Sequence, residues 1–240
     1  QFGEDGYIQT ILDKFKIPYT HSGAIASSIA MDKEISKKIF IKNKIKTPKF
    51  FTYSYDISKS NLIEKINKNL RFPVVIKPLN EGSSVNVYIT NKKTLDKILY
   101  KLKVYKKVLI EEFIGGREIQ VAIMGDKKLG AIELKPKRKF YDYQAKYDTK
   151  SKTQHIIPVD LPKIKFNKVM DIAYKAHKII GCRGVTRSDF KFFNGNFYLL
   201  ELNTQPGMTK LSLVPEIALY KGISFLKLIE WMLKDASKKK

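Results

Sequence analysis

Residues 184–203 hold two apolar runs that carry charged or amide residues at alternate positions. The first contains Arg187-Ser188-Asp189-Phe190 and the second Leu200-Glu201-Leu202-Asn203. Along a strand, positions i and i+2 share a face, so Arg187 lies beside Asp189 and Glu201 beside Asn203. Tyr198, Leu199, Leu200 and Leu202 make the second run too apolar for a free, salt-bridged surface strand. A carboxylate buried there requires a counter-charge or a metal. Asp, Glu and Asn offer hard oxygen donors, which suit Mg²⁺ bridged to phosphate oxygens. Asp189, Glu201 and Asn203 are therefore the candidate metal ligands. Their meeting depends on register. A two-residue turn at Asn194-Gly195 sets Asp189 opposite Leu200 and turns Glu201 away. A three-residue loop brings all four polar side chains together, so an odd-length loop is the expectation.

The rest of the chain reads as alternating helices and strands of an α+β protein, with two lobes meeting near residues 113–117. Helices are expected at 5–15, 27–42 (capped by Ser27 or Ser28), 60–70, 94–103 and 164–180, the last ended by Gly181. Two more close the chain, the final one at 224–236. Strands are expected at 49–53, 74–77, 87–90 and 108–113, with 118–124 paired to 129–135. Residues 136–158 form a polar loop that nonetheless carries Phe140, Tyr141, Tyr143 and Tyr147. A solvated loop has no use for so many aromatics, and a lid that excludes water does.

With 240 residues, 43% of them hydrophobic, the chain can bury a sizeable core in one large domain or two small ones. No apolar run is long enough to span a bilayer, and nothing after Gln1 has a leader pattern, so a cytoplasmic protein with no membrane partner is expected. The single cysteine, Cys182, excludes an intrachain disulfide and argues against a cysteine zinc site. The formal charge of +23 invites a nucleic-acid reading. All but five of the 46 basic residues are lysine, however, and they are scattered among many Ile, Asn, Tyr and Phe. That mix describes a solvated lysine-rich surface, so no nucleic-acid partner is expected. The field still concentrates small anions.

Three segments suit phosphate. Lys77 ends the apolar run Val74-Val75-Ile76-Lys77, where a charge points into a cleft. Glu81-Gly82-Ser83-Ser84 is a small-residue turn whose N–H groups can cradle an anion. Lys33 and Lys146 are further candidates, although each lysine taken alone reads as surface. Neither a P-loop nor a Rossmann glycine pattern is present. Ile110-Glu111-Glu112-Phe113-Ile114, at the lobe junction, suits an adenine slot; an edge strand with exposed Glu weighs about the same.

In this order the motifs resemble the D-alanine–D-alanine ligases of the ATP-grasp superfamily. The matching stretches are Gly3-Glu4-Asp5-Gly6, Met31-Asp32-Lys33, Lys77-Pro78 and Glu81-Gly82-Ser83-Ser84-Val85. They continue with Tyr141-Asp142-Tyr143, Ala145-Lys146-Tyr147, Arg187 with Asp189, and Glu201. The last are Asn203-Thr204, Pro206-Gly207-Met208-Thr209 and Ser212-Leu213-Val214-Pro215. The resemblance covers nearly the whole chain. It implies an ATP-grasp fold, two α+β lobes sandwiching ATP. Residues 1–26 would be a remnant of a preceding substrate domain, 27–114 the central lobe, and 115–240 the C-terminal lobe with its lid at 136–158.

The resemblance also implies a reaction: ATP phosphorylates one D-alanine and the amine of a second attacks the acyl phosphate, for cell-wall synthesis. Lys33, Lys77, Ser84 and Lys146 match ATP-phosphate positions, and Glu111 and Glu118 the adenine and ribose positions. Asp189, Glu201 and Asn203 match ligands of two Mg²⁺ or Mn²⁺ ions. Ser83, Tyr147 and Ser212 match substrate positions, and Arg187 with the Gly207 N–H the oxyanion donors. Tyr147 implies D-alanine rather than D-lactate as second substrate. Homodimers are common in the family. The chain departs from it where Asn86 replaces a usual Gly, and where it begins inside the Gly-Glu-Asp-Gly motif, so weak or no turnover is expected of these 240 residues. The alternatives are another ATP-grasp carboxylate–amine ligase, which would not need Tyr147 or the Ser212 segment, and a basic nucleic-acid module.

Overall fold

Two antiparallel sheets carry the structure, a computed structural model that describes residues 3–136 and 153–237. The first has the order β1-β4-β2-β3, from strands β1 (Phe50–Ser54), β2 (Val74–Pro78), β3 (Tyr88–Thr90) and β4 (Lys107–Glu112). The second has the order β7-β6-β5-β8-β9. Its strands are β5 (Arg117–Met124), β6 (Lys127–Lys135), β7 (Gln154–Ile156), β8 (Val185–Phe193) and β9 (Asn196–Asn203). This is the expected α+β class.

Each sheet has one plainly apolar face. In the first, Val74, Ile76, Val108 and Ile110 pack on Leu62 and Ile66 of α4 (Lys59–Asn69) and on Leu95 and Ile98 of α5 (Leu95–Leu102). The alternate residues Val75, Lys77, Leu109 and Glu111 fall on the other face. In the second sheet, Ile119, Val121, Phe190, Leu199 and Leu202 pack on Val169 and Ala173 of α6 (Lys163–Ile180). Ala26, Ala30 and Phe40, from α2 (Ala24–Met31) and α3 (Lys33–Lys42), join this core. The sheet's reverse face is divided. Ala122, Met124, Ile132 and Val185 lie beneath α7 (Leu213–Tyr220) and α8 (Phe225–Ala236). Glu118, Gln120, Asp189 and Arg187 continue the same face toward the first sheet.

Three local expectations change. The helix expected over 27–42 is two helices. Asp32 leaves helical geometry (φ −78°, ψ 105°), and its carboxylate accepts hydrogen bonds from the N–H groups of Glu34 and Ile35. Asp competes with the backbone inside a helix and is favoured as a cap, so it ends α2 and starts α3. Ser27, expected as a cap, is buried inside α2. Second, α1 (Tyr7–Lys14) is shorter than expected, and its Ile8 and Ile11 are exposed. Third, of the two readings left open for 110–114 the exposed edge strand falls, since β4 is central and Glu111 is 3% exposed.

Residues 113–116 connect the sheets. Gly116 adopts φ +86°, and a Cβ there would lie 2.3 Å from the Phe192 carbonyl oxygen. Only glycine allows both the conformation and the approach.

Candidate functional site

The hairpin β8–β9 turns through Asn194 and Gly195, with Phe193 paired to Asn196. The loop therefore has two residues, not the odd number expected. A β-bulge supplies the missing step. Phe190 pairs with Leu199, but Asp189 pairs with Glu201, leaving Leu200 as the extra residue. A bulge sets two residues of one strand against one of its partner and re-aims the side chains beyond it. Glu201 thus lies opposite Asp189, and Asn203 opposite Arg187. Leu200 and Glu201 both line the cleft between the sheets, while Leu199 and Leu202 remain in the core.

The polar cluster is tightly paired. Arg187 donates two hydrogen bonds to Asp189, 2.8 Å and 3.0 Å long. This bidentate fork fixes the guanidinium as well as the carboxylate. Lys33 Nζ lies 3.9 Å from Glu201 Oε2 and donates to the Glu81 carbonyl at 2.5 Å. Burial pulls the Lys33 ammonium below its ordinary pKa, against the opposing pull of Glu201. The Asn203 side-chain oxygen accepts from the Gln205 N–H at 2.8 Å. No group of three His, Cys, Asp or Glu side chains able to hold a metal occurs among the described residues. The expected ligand set therefore rests on two carboxylates and the Asn203 amide oxygen, a donor set that fits a hard cation.

Across the cleft, Lys77 is 5% exposed and meets Glu111 Oε1 at 2.5 Å. Glu111 Oε2 forms a second ion pair, 2.9 Å, with Lys37 Nζ. Burial acts to raise the Glu111 pKa, but the two ammonium groups outweigh it and hold the carboxyl below its usual range. Both Glu111 oxygens thus face lysines. Glu111, expected at the adenine position, lines the cleft with both side-chain oxygens turned to these lysines. Val75, Phe113, Ile114 and Leu200 supply apolar cleft wall.

The remaining expected residues spread around this centre. Lys33, Lys77, Ser84, Glu111, Glu118, Asp189 and Glu201 all line one cleft of about 740 Å³, open to solvent. Glu118 is held by Lys191 at 3.0 Å and by Gln120 at 3.3 Å. Ser83 and Ser84 adopt φ of 52° and 58°, in a turn closed by the Val85 N–H on the Gly82 carbonyl. Asn86 follows at φ 56°, a conformation that Asn tolerates better than most residues. Its amide donates to the Tyr105 hydroxyl and accepts from that of Tyr88. Gly207 and Ser212 form a separate group, since a Cβ on Gly207 would lie 3.0 Å from Ser212 Oγ. Lys146 and Tyr147, with most of the expected lid, lie outside the described residues. The sequence reading missed Lys37 and Lys191. Lysine-rich surroundings hid both.

A family model described as D-ala D-ala ligase C-terminus matches residues 40–234. The chain belongs to the D-alanine–D-alanine ligase family. A D-alanine–D-alanine ligase from Pelagibacter ubique is 72% identical over 237 residues, covering 99% of this chain and 78% of that protein. One from Rhodospirillum rubrum is 42% identical, over 98% of this chain and 76% of its own length. Among solved structures, the Bacillus anthracis D-alanine–D-alanine ligase complexed with ATP aligns with a TM-score of 0.84 at 30% identity, covering 98% of this chain and 76% of its own. ATP-dependent ligation is thus the chemistry of the family, and the two sheets are those of an ATP-grasp fold.

Proposed function

We propose that the chain binds ATP between its two sheets and takes part in joining two D-alanines into D-alanyl-D-alanine, used in building the cell wall. The observation that carries this reading is the convergence of Lys33 and Lys77 with Asp189 and Glu201 on one cleft. Phosphoryl transfer depends on positioning and charge neutralisation, and this cleft offers both. The first D-alanine's carboxylate oxygen attacks the γ-phosphorus of ATP, and ADP leaves. The second D-alanine's amine attacks the acyl carbon, loses a proton and expels phosphate.

Lys33, Lys77 and Lys146 neutralise the triphosphate, and Ser83 and Ser84 present N–H groups to it. Glu118, braced by Lys191 and Gln120, accepts from the ribose hydroxyls. Two Mg²⁺ or Mn²⁺ ions would be held by Asp189, Glu201 and Asn203 and, when bound, supply further charge neutralisation to the phosphates. Arg187, fixed by its fork to Asp189, and the Gly207 N–H stabilise the oxyanion formed at the acyl carbon. Ser83, Tyr147 and Ser212 hold substrate. A cytoplasmic setting and a homodimer belong to the same reading.

The test is phosphate release from ATP with D-alanine, L-alanine, D-lactate or no acceptor. It is run on this chain and on a version extended with the part of the Pelagibacter relative that the alignment leaves uncovered. D-alanine-dependent release in the extended version is expected, and weak release from the chain alone. Equal release with L-alanine would favour another carboxylate–amine ligase, and a depsipeptide product with D-lactate would remove the role given to Tyr147.

A further inference from the structure

Among the described residues, Lys37 is the largest polar side chain wholly out of solvent, at 0% exposure. The proposed chemistry does not use it. It belongs to α3, whose Phe40 is packed in the core of the second sheet. Its ammonium reaches the other way. It forms the ion pair with Glu111 of the first sheet at 2.9 Å and donates to Thr47 Oγ1 at 2.6 Å. Thr47 donates in turn to the Leu199 carbonyl of β9 at 2.7 Å. Glu111 holds Lys77 through its other oxygen. The result is one continuous polar chain, Lys77–Glu111–Lys37–Thr47–Leu199. It begins at a lysine on the cleft and ends at the residue before the bulge that turns Glu201 toward the same cleft.

We propose that Lys37 is a positioning residue that sets the phosphate-binding Lys77 of the first sheet in register with the bulged strand of the second. This rests on the reading that Lys77 contacts ATP phosphate. A buried lysine is costly and is retained only where its partners satisfy it. Here the Glu111 ion pair and the Thr47 hydrogen bond do so, and the ammonium also lies over the Phe50 ring of the first sheet, 5.5 Å from its centroid. A purely apolar side chain would fill the space without carrying direction. Without Lys37, Glu111 keeps direct contact with Lys77 alone, and the carboxylate follows that lysine rather than restraining it. Without the Thr47 hydroxyl, the ammonium loses its anchor to β9 while both ion pairs remain. Networks of this kind couple their members more strongly than the separate bonds suggest.

The experiment compares the affinity of wild-type chain, Thr47→Val, Thr47→Ser, Lys37→Met and Lys37→Arg for ATP with Mg²⁺ and for adenosine, by titration calorimetry. Thermal unfolding is followed in parallel. Thr47→Val is the deciding variant, because it keeps the shape and both ion pairs and removes the two hydrogen bonds of the hydroxyl, to Lys37 and to the Leu199 carbonyl; loss of the Lys37 bond is worth about a 3- to 10-fold change. ATP affinity is expected to fall by that factor while adenosine affinity stays constant, and Thr47→Ser is expected to restore ATP binding. Lys37→Met, where it folds, is expected to lower ATP affinity further, and Lys37→Arg to recover part of it. Wild-type-like ATP binding by Thr47→Val would overturn the inference. So would equal losses for ATP and adenosine, which indicate general loosening of the cleft. Failure of the wild-type chain to bind ATP at all would instead reject the reading of the cleft.

Discussion

Asp189 stands directly across from Glu201 in a hairpin whose two-residue turn would, by itself, set Asp189 against Leu200. The extra residue in β9 makes the difference. Deleting Leu200 would restore a regular ladder and still leave Glu201 opposite Asp189 on the cleft face, because directly paired residues share a face. Glu201→Gln keeps the strand and removes the charge. ATP titrations with and without Mg²⁺ are expected to show the metal-dependent gain in affinity falling at least about 10-fold in Glu201→Gln, the loss of one charged contact, and staying nearly constant in the deletion variant. A Glu201→Gln variant with an unchanged Mg²⁺ response would remove Glu201 from the proposed ligand set.

Arg187→Lys keeps the charge but not the fork. Lysine cannot hold both Asp189 oxygens in one plane, so the donor aimed at the oxyanion loses its direction. In the version extended with the Pelagibacter segment, turnover is expected to fall by about two orders of magnitude, as for a lost oxyanion donor, with ATP affinity nearly constant. A fall in ATP affinity of the same size would place Arg187 at the phosphates instead.

The apolar strands and most helices were legible because burial leaves a periodic trace. Lys77 stood out because its strand is otherwise entirely apolar. The bulge was not legible. Leu199 and Leu200 are both leucine, so the run reads equally well in either register. Lys37 was hidden for a different reason. It lies one helical turn from Lys33 and beside Lys38, and such spacing normally marks a solvated face. Its partners Glu111 and Thr47 come from other segments, and only the fold shows that an interior carboxylate needs it. Asp32 misled for the opposite reason, because the apolar period continues across it while its side chain caps a new helix.

Acid should act through His177. It is 2% exposed, bonded through Nδ1 to Thr186 Oγ1 at 2.8 Å. Burial, with help from Lys178, lowers its pKa to about 4 against the opposing pull of Asp126. A base with a depressed folded-state pKa stabilises the fold fully above its unfolded value of about 6.5 and loses that contribution as pH falls through 4. Chemical denaturation is expected to show about 3 kcal/mol lost over that window on account of His177. His21, which burial and Arg183 also lower to about 4, adds its own loss over the same window, so His177→Gln, which cannot charge, should reduce the slope by about half. An unchanged slope would assign the acid sensitivity to other groups.

Gly116→Ala tests the joint between the sheets. At φ +86° with the Phe192 carbonyl 2.3 Å from the added carbon, the methyl group has no room and the backbone must move. A loss of about 2 kcal/mol or more is expected in urea unfolding. A loss below about 1 kcal/mol, the cost of the conformation alone, would mean that the joint yields easily.

Lys33 and Lys37 lie four residues apart at the start of α3, just behind the Asp32 cap, so both ammonium groups leave the same side of the helix. That arrangement makes the stretch from 32 to 37 sensitive to length rather than to composition. A single inserted or deleted residue there would swing one lysine by about a hundred degrees around the helix axis, away from Glu111 or away from Glu201. Ile35, 47% exposed, can vary freely, whereas Ser36 is buried and Glu34 pairs with Lys38 and Lys107. In libraries of randomised variants, functional survivors should therefore differ widely at position 35 and almost never in the number of residues separating the two lysines.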